Sequence, residues 1–181
     1  DAVSERIFHT QPDVVIHLAG IAFVVHADVN EIYHVNVIGS RNLFSALSRL
    51  PQPPSNVIVA SSATVYGNAP ESPIPETAPL KPHNDYAISK VTVEHLIKMY
   101  GDLLPCTIVR PFNYTGPGQS LNFVVPKIVD HARRGKSVIE LGNTHVVREY
   151  GDVRRAVTAY VKLSRLPGNG EIYNIATGTG V

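Results

Sequence analysis

A tyrosine and a lysine stand four residues apart in Tyr86-Ala87-Ile88-Ser89-Lys90, the spacing that puts two side chains on one face of a helix, a turn from each other. A phenol has an ordinary pKa of about 10, too high for ready proton exchange near neutral pH. An ammonium group beside it favours the phenolate and lowers that value, so the pair could serve as a tuned acid or base. The same spacing also occurs in helices that do no chemistry, so the pair has to be read with its surroundings. Ala87, Ile88, Val91, Val93, Leu96 and Ile97 predict a helix from about Asp85 to about Tyr100, with Pro82 and Asn84 as its approach.

The elements that must position this pair can be followed along the chain. Ser4 to Thr10 reads as the end of a helix, broken by Gln11-Pro12-Asp13. Val14-Val15-Ile16-His17-Leu18 is a short continuous apolar run, as in a strand covered on both faces of a parallel sheet. It ends in Ala19-Gly20, where small residues either let a ligand approach the backbone or make a tight turn. Ile32, Asn36, Leu43 and Leu47 follow at helical spacing, with Gly39 or Ser40 in the gap, until Pro51-Gln52-Pro53-Pro54 stops the helix. Asn36 thus lies on an apolar stripe, and a buried amide needs partners. It either ties loop backbone together or braces a site.

Asn56 to Ala60 is a second buried strand, running into the hydroxyl-rich Ser61-Ser62-Ala63-Thr64-Val65-Tyr66-Gly67. Asn68 to Pro82 carries five prolines and predicts a long surface connection, often functional inside a compact domain. Thr107 to Arg110 is a third strand, followed by the turn-rich Pro111 to Gln119. Phe123 to Arg134 predicts an amphipathic helix with Val125, Ile128 and Val129 inward. Val138 to Leu141 predicts a short strand, Gly142-Asn143 a turn, and His145 to Tyr150 an extended segment. Asp152 suits the N-cap of a helix from Val153 to Leu163, and Ile172 to Ile175 forms a last strand.

Strand, helix, strand, helix, strand at this spacing argues for a parallel sheet wrapped by helices. Right-handed crossovers place the ends of the strands, after Leu18, Ala60 and Arg110, on one edge, where open α/β sheets bind ligands. Ser62 and the Tyr86/Lys90 helix converge there. A carbonyl oxygen held by Ser62 and Tyr86 could take a proton from the phenol while a hydride reaches its carbon.

Composition narrows the partners. Of 181 residues 44% are hydrophobic and 17% charged, and the net charge is +1, which makes no electrostatic case for nucleic acid or an anionic membrane. The eight histidines are scattered without ligand spacing, so no metal is expected. Cys106 is the only cysteine; it excludes an intrachain disulfide, fits a reducing, cytoplasmic compartment, and reads as a small buried residue. No apolar span is long enough to cross a bilayer and none reads as a signal peptide.

Six motifs carry a resemblance: His17-Leu18-Ala19-Gly20; Ser61 to Gly67; Tyr86-x-x-x-Lys90; Arg110-Pro111-Phe112-Asn113; Arg148-Glu149-Tyr150-Gly151-Asp152-Val153; and Tyr173-Asn174-Ile175-Ala176-Thr177-Gly178. In this order the chain resembles the extended short-chain dehydrogenases/reductases, the family of nucleotide-sugar epimerases, dehydratases and reductases. Arg110 to Gln119, with Leu141-Gly142-Asn143 and Arg148, is most similar to its reductases of GDP-4-keto-6-deoxy-D-mannose.

The resemblance implies a doubly wound, Rossmann-like α/β fold with part of a small α/β substrate domain. It implies Tyr86 as general acid in reduction or base in reverse. Lys90 would hold the nicotinamide ribose and depress the Tyr86 pKa, and Ser62 would bind the substrate oxygen. Leu18, Ala19, Gly20, Pro111 and Phe112 would line an NADP or NAD cofactor. Asn113, Phe123, Val124, Lys127 and Arg148 would meet the sugar nucleotide, although Arg148 also suits a surface ion pair and Phe123 and Val124 a helix core. Thr64 stands on the substrate side, where the family's 4,6-dehydratases carry an acid. Threonine cannot move that proton at neutral pH, which argues against a dehydratase. A reductase of a GDP-linked 4-keto-6-deoxyhexose is the expected activity; a 4-epimerase with tightly bound NAD, or a non-catalytic cofactor-binding relative, are the alternatives.

The family's first strand and glycine-rich dinucleotide loop are missing from this sequence, and Gly116-x-Gly118 is no substitute because it is flanked by proline and follows the wrong strand. A segment of a longer protein is therefore expected. Residues 1–112 and 151–165 would belong to the cofactor domain, and 113–150 and 166–181 to the substrate domain. In relatives the helices matching about 30–50 and 85–101 pack into a four-helix bundle, which implies a homodimer.

Overall fold

The structure, a computed structural model, describes residues 2–22, 28–142 and 145–180. Helix α1 (Ala2–Thr10) leads to strand β1 (Val14–His17). Helices α2 (Val29–Tyr33) and α3 (Gly39–Leu47) follow, joined by a π-helical turn at His34–Ile38. Next come β2 (Asn56–Ala60), a 3₁₀ turn at Ala63–Tyr66, α4 (Asp85–Met99), β3 (Cys106–Pro111), β4 (Tyr114–Thr115), α5 (Val124–Arg133), β5 (Gly151–Asp152), α6 (Val153–Leu163) and β6 (Ile172–Ile175).

The main sheet has the order β1-β2-β3-β6, and each pairing is parallel. This is the expected parallel, Rossmann-like α/β architecture. Val57, Ile58, Val59, Ile108 and Val109 are fully buried, as continuous apolar runs require in strands with a neighbour on either side. Val57, Val59 and Ile108 join Phe44, Leu47, Val93, Ile97, Leu104 and Cys106 in the principal core. Because β2 and β3 pair in parallel with Val59 opposite Ile108, Ser61 and Arg110 emerge at the same edge of the sheet.

Local signals explain the helix ends. The Asn84 side chain accepts a hydrogen bond from the Ala87 N–H at 2.8 Å, and Asp152 accepts from Arg154 N–H at 2.8 Å, each satisfying a first-turn donor. The buried stripe before β2 runs Ile32, Asn36, Ser40, Phe44 and Leu47. The wide turn at His34–Ile38 steps the buried face onto Phe44, and leaves the expected Leu43 only half-buried.

Several expectations are corrected. β1 ends at His17, and Leu18 is 60% exposed. Residues 138–141 form no strand. α5 buries no residue: Ile128 and Val129, expected inward, are exposed, because little of the described chain packs on that face. Ile172–Ile175, the expected last strand, pairs with β3 as the fourth strand of the main sheet. Asn143, half of the expected turn, lies outside the described residues.

Candidate active site

Ser62 ends the run out of β2 and caps the 3₁₀ turn. Its Oγ accepts hydrogen bonds from the Thr64 N–H at 3.2 Å and from Thr64 Oγ1 at 2.9 Å, which leaves its own proton for a further partner. That hydroxyl lies close enough to the Tyr86 phenol to lower its pKa. One turn on, Lys90 is only 6% exposed. Its Nζ donates to the Ala60 carbonyl at 2.9 Å and stands 5.8 Å from the Tyr86 ring centroid. The structure therefore brings Ser62, Thr64, Tyr86 and Lys90 together at the carboxyl end of β2.

The electrostatics differ from the expectation in one respect. Burial raises the Tyr86 pKa, outweighing the Ser62 hydroxyl, and Tyr114 adds to the rise. The anticipated depression by Lys90 is not what sets its direction. Desolvation brings Lys90 itself down to about 8. At neutral pH the phenol is thus protonated and the amine mostly charged.

Asn36 does both things that were open to it. Its Oδ1 accepts from Ile21 N–H at 2.7 Å and its Nδ2 donates to Ile21 O at 3.2 Å, pinning the loop after β1. Nδ2 also donates to Ser89 Oγ at 3.0 Å, and that hydroxyl donates to the Tyr86 carbonyl at 2.7 Å. Asn36 sits in the π turn, a distortion that recurs at functional sites. A Cβ on Gly20 would stand 3.0 Å from Asn36 Oδ1 and 3.3 Å from Lys90 Nζ, so the β1 tip, the π turn and the lysine crowd around one small space.

A cavity of about 520 Å³ opens beside Ser62, walled by Thr64, Glu71 to Ile74, Pro111, Phe112, Asn113 and Arg148 among others. Of the predicted substrate contacts it gathers Thr64, Asn113 and Arg148. Arg148 donates to Val147 O at 3.2 Å and makes no salt bridge among the described residues. The first turn of α5 lies outside this wall: Phe123 and Val124 are partly exposed, and Lys127 donates to Glu140 O at 2.6 Å. Leu18, Ala19 and Gly20 cluster at the tip of β1, outside the same wall.

The residues missed by sequence reasoning are those behind the site. Glu94 lies one turn beyond Lys90, is wholly buried, and is bound by Ser61 and Arg110. An acid at the i+4 position of an apolar helix face was the available signal.

Residues 1–176 match the NAD dependent epimerase/dehydratase family. The chain belongs to that family. It is 37% identical over 172 residues to the GDP-6-deoxy-D-talose 4-dehydrogenase of Aggregatibacter actinomycetemcomitans, covering 94% of this chain and 58% of that protein. It is 34% identical over 178 residues to the GDP-6-deoxy-D-mannose reductase of Pseudomonas aeruginosa, covering 92% of this chain and 58% of the relative. The structure of RMD from Pseudomonas aeruginosa complexed with NADPH superposes with a TM-score of 0.85 at 32% identity, over 94% of this chain and 62% of that one. The chain therefore spans about three fifths of the length of these relatives.

The family's cofactor can be tested against the residues present. The space beside Gly20 is taken by the Asn36 amide and the buried Lys90 amine, and an ammonium at a strand tip suits the hydroxyls of a ribose. Gly20→Ala presses on the buried Asn36 amide and Lys90 amine and is expected to lower the melting temperature and weaken NAD(P)H binding by about tenfold, roughly 1.4 kcal/mol; thermal melts and calorimetric titration of the full chain check this.

His17, in the same corner, has its Nε2 2.8 Å from Ser40 Oγ and its ring edge-on to Phe44. Burial first, and the Lys90 charge second, lower its pKa to about 4. Between the unfolded value of 6.5 and the folded value of about 4 the unfolded chain holds a proton that the native one does not. Stability is therefore lost as pH falls through this window, by on the order of 2–3 kcal/mol. Urea melts at pH 7.5 and 4.5 should show this loss, and His17→Gln should reduce it.

Proposed function

We propose that this chain carries the catalytic part of an NAD(P)-dependent oxidoreductase that reduces the C4 ketone of a GDP-linked 4-keto-6-deoxyhexose. The observation that carries the reading is the convergence of the Ser62 hydroxyl, the Tyr86 phenol and the Lys90 ammonium at one strand tip, with Ser62 on the cavity wall. A ketone oxygen between Ser62 and Tyr86 receives a hydrogen bond from the first and a proton from the second. The charge developing on that oxygen is met by donors already in place, so little reorganisation is needed. Reduced nicotinamide, when bound, supplies the hydride. Leu18, Ala19, Gly20, Lys90, Pro111 and Phe112 are the residues proposed to hold that cofactor, and Thr64, Asn113 and Arg148 to hold the sugar nucleotide. A guanidinium on the cavity wall suits a diphosphate. The GDP-sugar names of the relatives support the nucleotide, and the raised phenol pKa favours a proton donor over a base.

The test is to titrate the full chain with nucleotide-diphospho-4-keto sugars and follow the absorbance of reduced nicotinamide. Stoichiometric loss with the GDP-linked substrate is expected. Sugar interconversion without net cofactor consumption would replace the reading with a 4-epimerase, and neither binding nor turnover would leave a non-catalytic relative.

We also propose a cytoplasmic homodimer packed through the helical segment 29–47 and α4, supported by the exposed apolar residues Val35, Ile38 and Ile88. Sedimentation of the full chain tests it. Among the described residues no helix is long and apolar enough to cross a membrane.

A further inference from the structure

A charged pair lies at the centre of the molecule, outside the reacting groups. Arg110 Nε and Nη2 donate to the two Glu94 carboxylate oxygens at 2.8 and 2.7 Å, and Ser61 Oγ donates to the same carboxylate. With that fork fixed, Arg110 Nη1 has one orientation left. It donates to Tyr66 Oη at 2.9 Å and to the Glu76 carbonyl at 3.0 Å. Tyr66 Oη passes its own proton to Asn174 Oδ1 at 2.7 Å. Asn174 then donates from Nδ2 to the Ile74 carbonyl and from its N–H to the Glu76 carboxylate, each at 2.9 Å.

These last contacts all fall on the proline-rich loop. Among the described residues, apart from the turn bond from Ala78 N–H to Pro75 O at 3.0 Å, the hydrogen bonds that tie 68–76 to the rest of the protein are those to Ile74 O, Glu76 O and the Glu76 carboxylate. Each ends on Arg110 or Asn174, and the Tyr66 hydroxyl joins the two. Glu71, Ser72, Pro73 and Ile74 of this loop form one wall of the cavity. A loop rich in proline has few N–H groups of its own to hold it; Ala69 and Ile74 pack on the buried Val65, Tyr66 and Ala78, and the polar hold comes from oxygens captured from outside.

We infer that Arg110, Tyr66 and Asn174 form a clamp that positions loop 68–76 as a wall of the substrate cavity, with Glu94 fixing the orientation of the guanidinium. Tyr66 and Arg110 are positioning residues for sugar-nucleotide binding, acting through Ile74 and Glu76 without touching the reacting atoms. The inference rests on the proposed function for the identity of the ligand, but not for the clamp itself.

Tyr66→Phe in the full chain removes the one hydroxyl that joins Arg110 to Asn174. It keeps the ring that stacks on Arg110 at 4.9 Å and on Phe112 at 6.5 Å. The expected result is a KM for the nucleotide sugar raised about tenfold with kcat within about twofold, the pattern of a lost uniform binding interaction. The KM for reduced nicotinamide should not move. Amide hydrogen exchange across 69–76 should quicken while that of α4 stays unchanged. Unchanged loop exchange, or a fall in kcat with no rise in KM, would overturn the clamp. If the wild-type chain turns over no nucleotide sugar, the proposed function fails, and loop exchange still decides the clamp. Should Tyr66→Phe not fold, Glu76→Ala at the exposed end of the chain of bonds is expected to shift KM and loop exchange in the same direction, and no shift would count equally against the inference.

Discussion

Tyr86→Phe in the full chain should lower kcat for ketone reduction by about 10² to 10⁴, the range for a positioned general acid, with little change in KM or melting temperature. The phenylalanine ring keeps the packing and loses only the proton. Burial holds the phenol protonated, so the native rate does not wait on ionisation of Tyr86 as pH rises from neutrality. It depends instead on Lys90, whose charge sits beside the ring and is lost above about 8. Native reduction should therefore decline as pH rises through about 8. Single-turnover rates from pH 6 to 9.5 for both proteins check this. A Tyr86→Phe enzyme with wild-type kcat would remove the phenol from the mechanism.

The second large effect is on stability. Arg110 and Glu94 are both buried and joined at 2.7 Å. Burial opposes the Arg110 charge, but the bonds to Glu94 and Tyr66 outweigh it and raise its pKa. Removing one partner strands the other charge away from water. Arg110→Met and Glu94→Leu are each expected to destabilise the protein by about 3–5 kcal/mol. The double replacement should cost far less than their sum, because no charge is then left unpaired. Guanidinium melts of the four proteins give the coupling; additive losses would mean that the two side chains act independently. The double variant should also lose the loop clamp, so its KM for the sugar nucleotide should stay raised even where its stability recovers.

Much of the candidate site was legible because its signals are local. The Tyr86/Lys90 pair needs only a helix, and the helix is written in its own spacing and in the Asn84 cap. The strand tips follow from apolar runs that end in small or hydroxyl residues. Reading failed where a partner was needed from elsewhere in the chain. The α5 face was expected inward because its pattern is amphipathic, yet the pattern says only that a face is apolar, not what covers it. Residues 138–141 had strand composition, but no strand among the described residues pairs with them.

By itself the sequence determined the family and the parallel α/β class, and it offered Tyr86 as the candidate proton-transfer group, since each of these depends on residue types at short separations. The tertiary structure alone decided the sign of the Tyr86 shift, the two-handed hold of Asn36 on Ile21 and Ser89, and the clamp from Glu94 to the proline-rich loop. Those depend on how much water is excluded and on which distant polar groups are brought within 3 Å of one another, quantities that spacing along a chain does not contain.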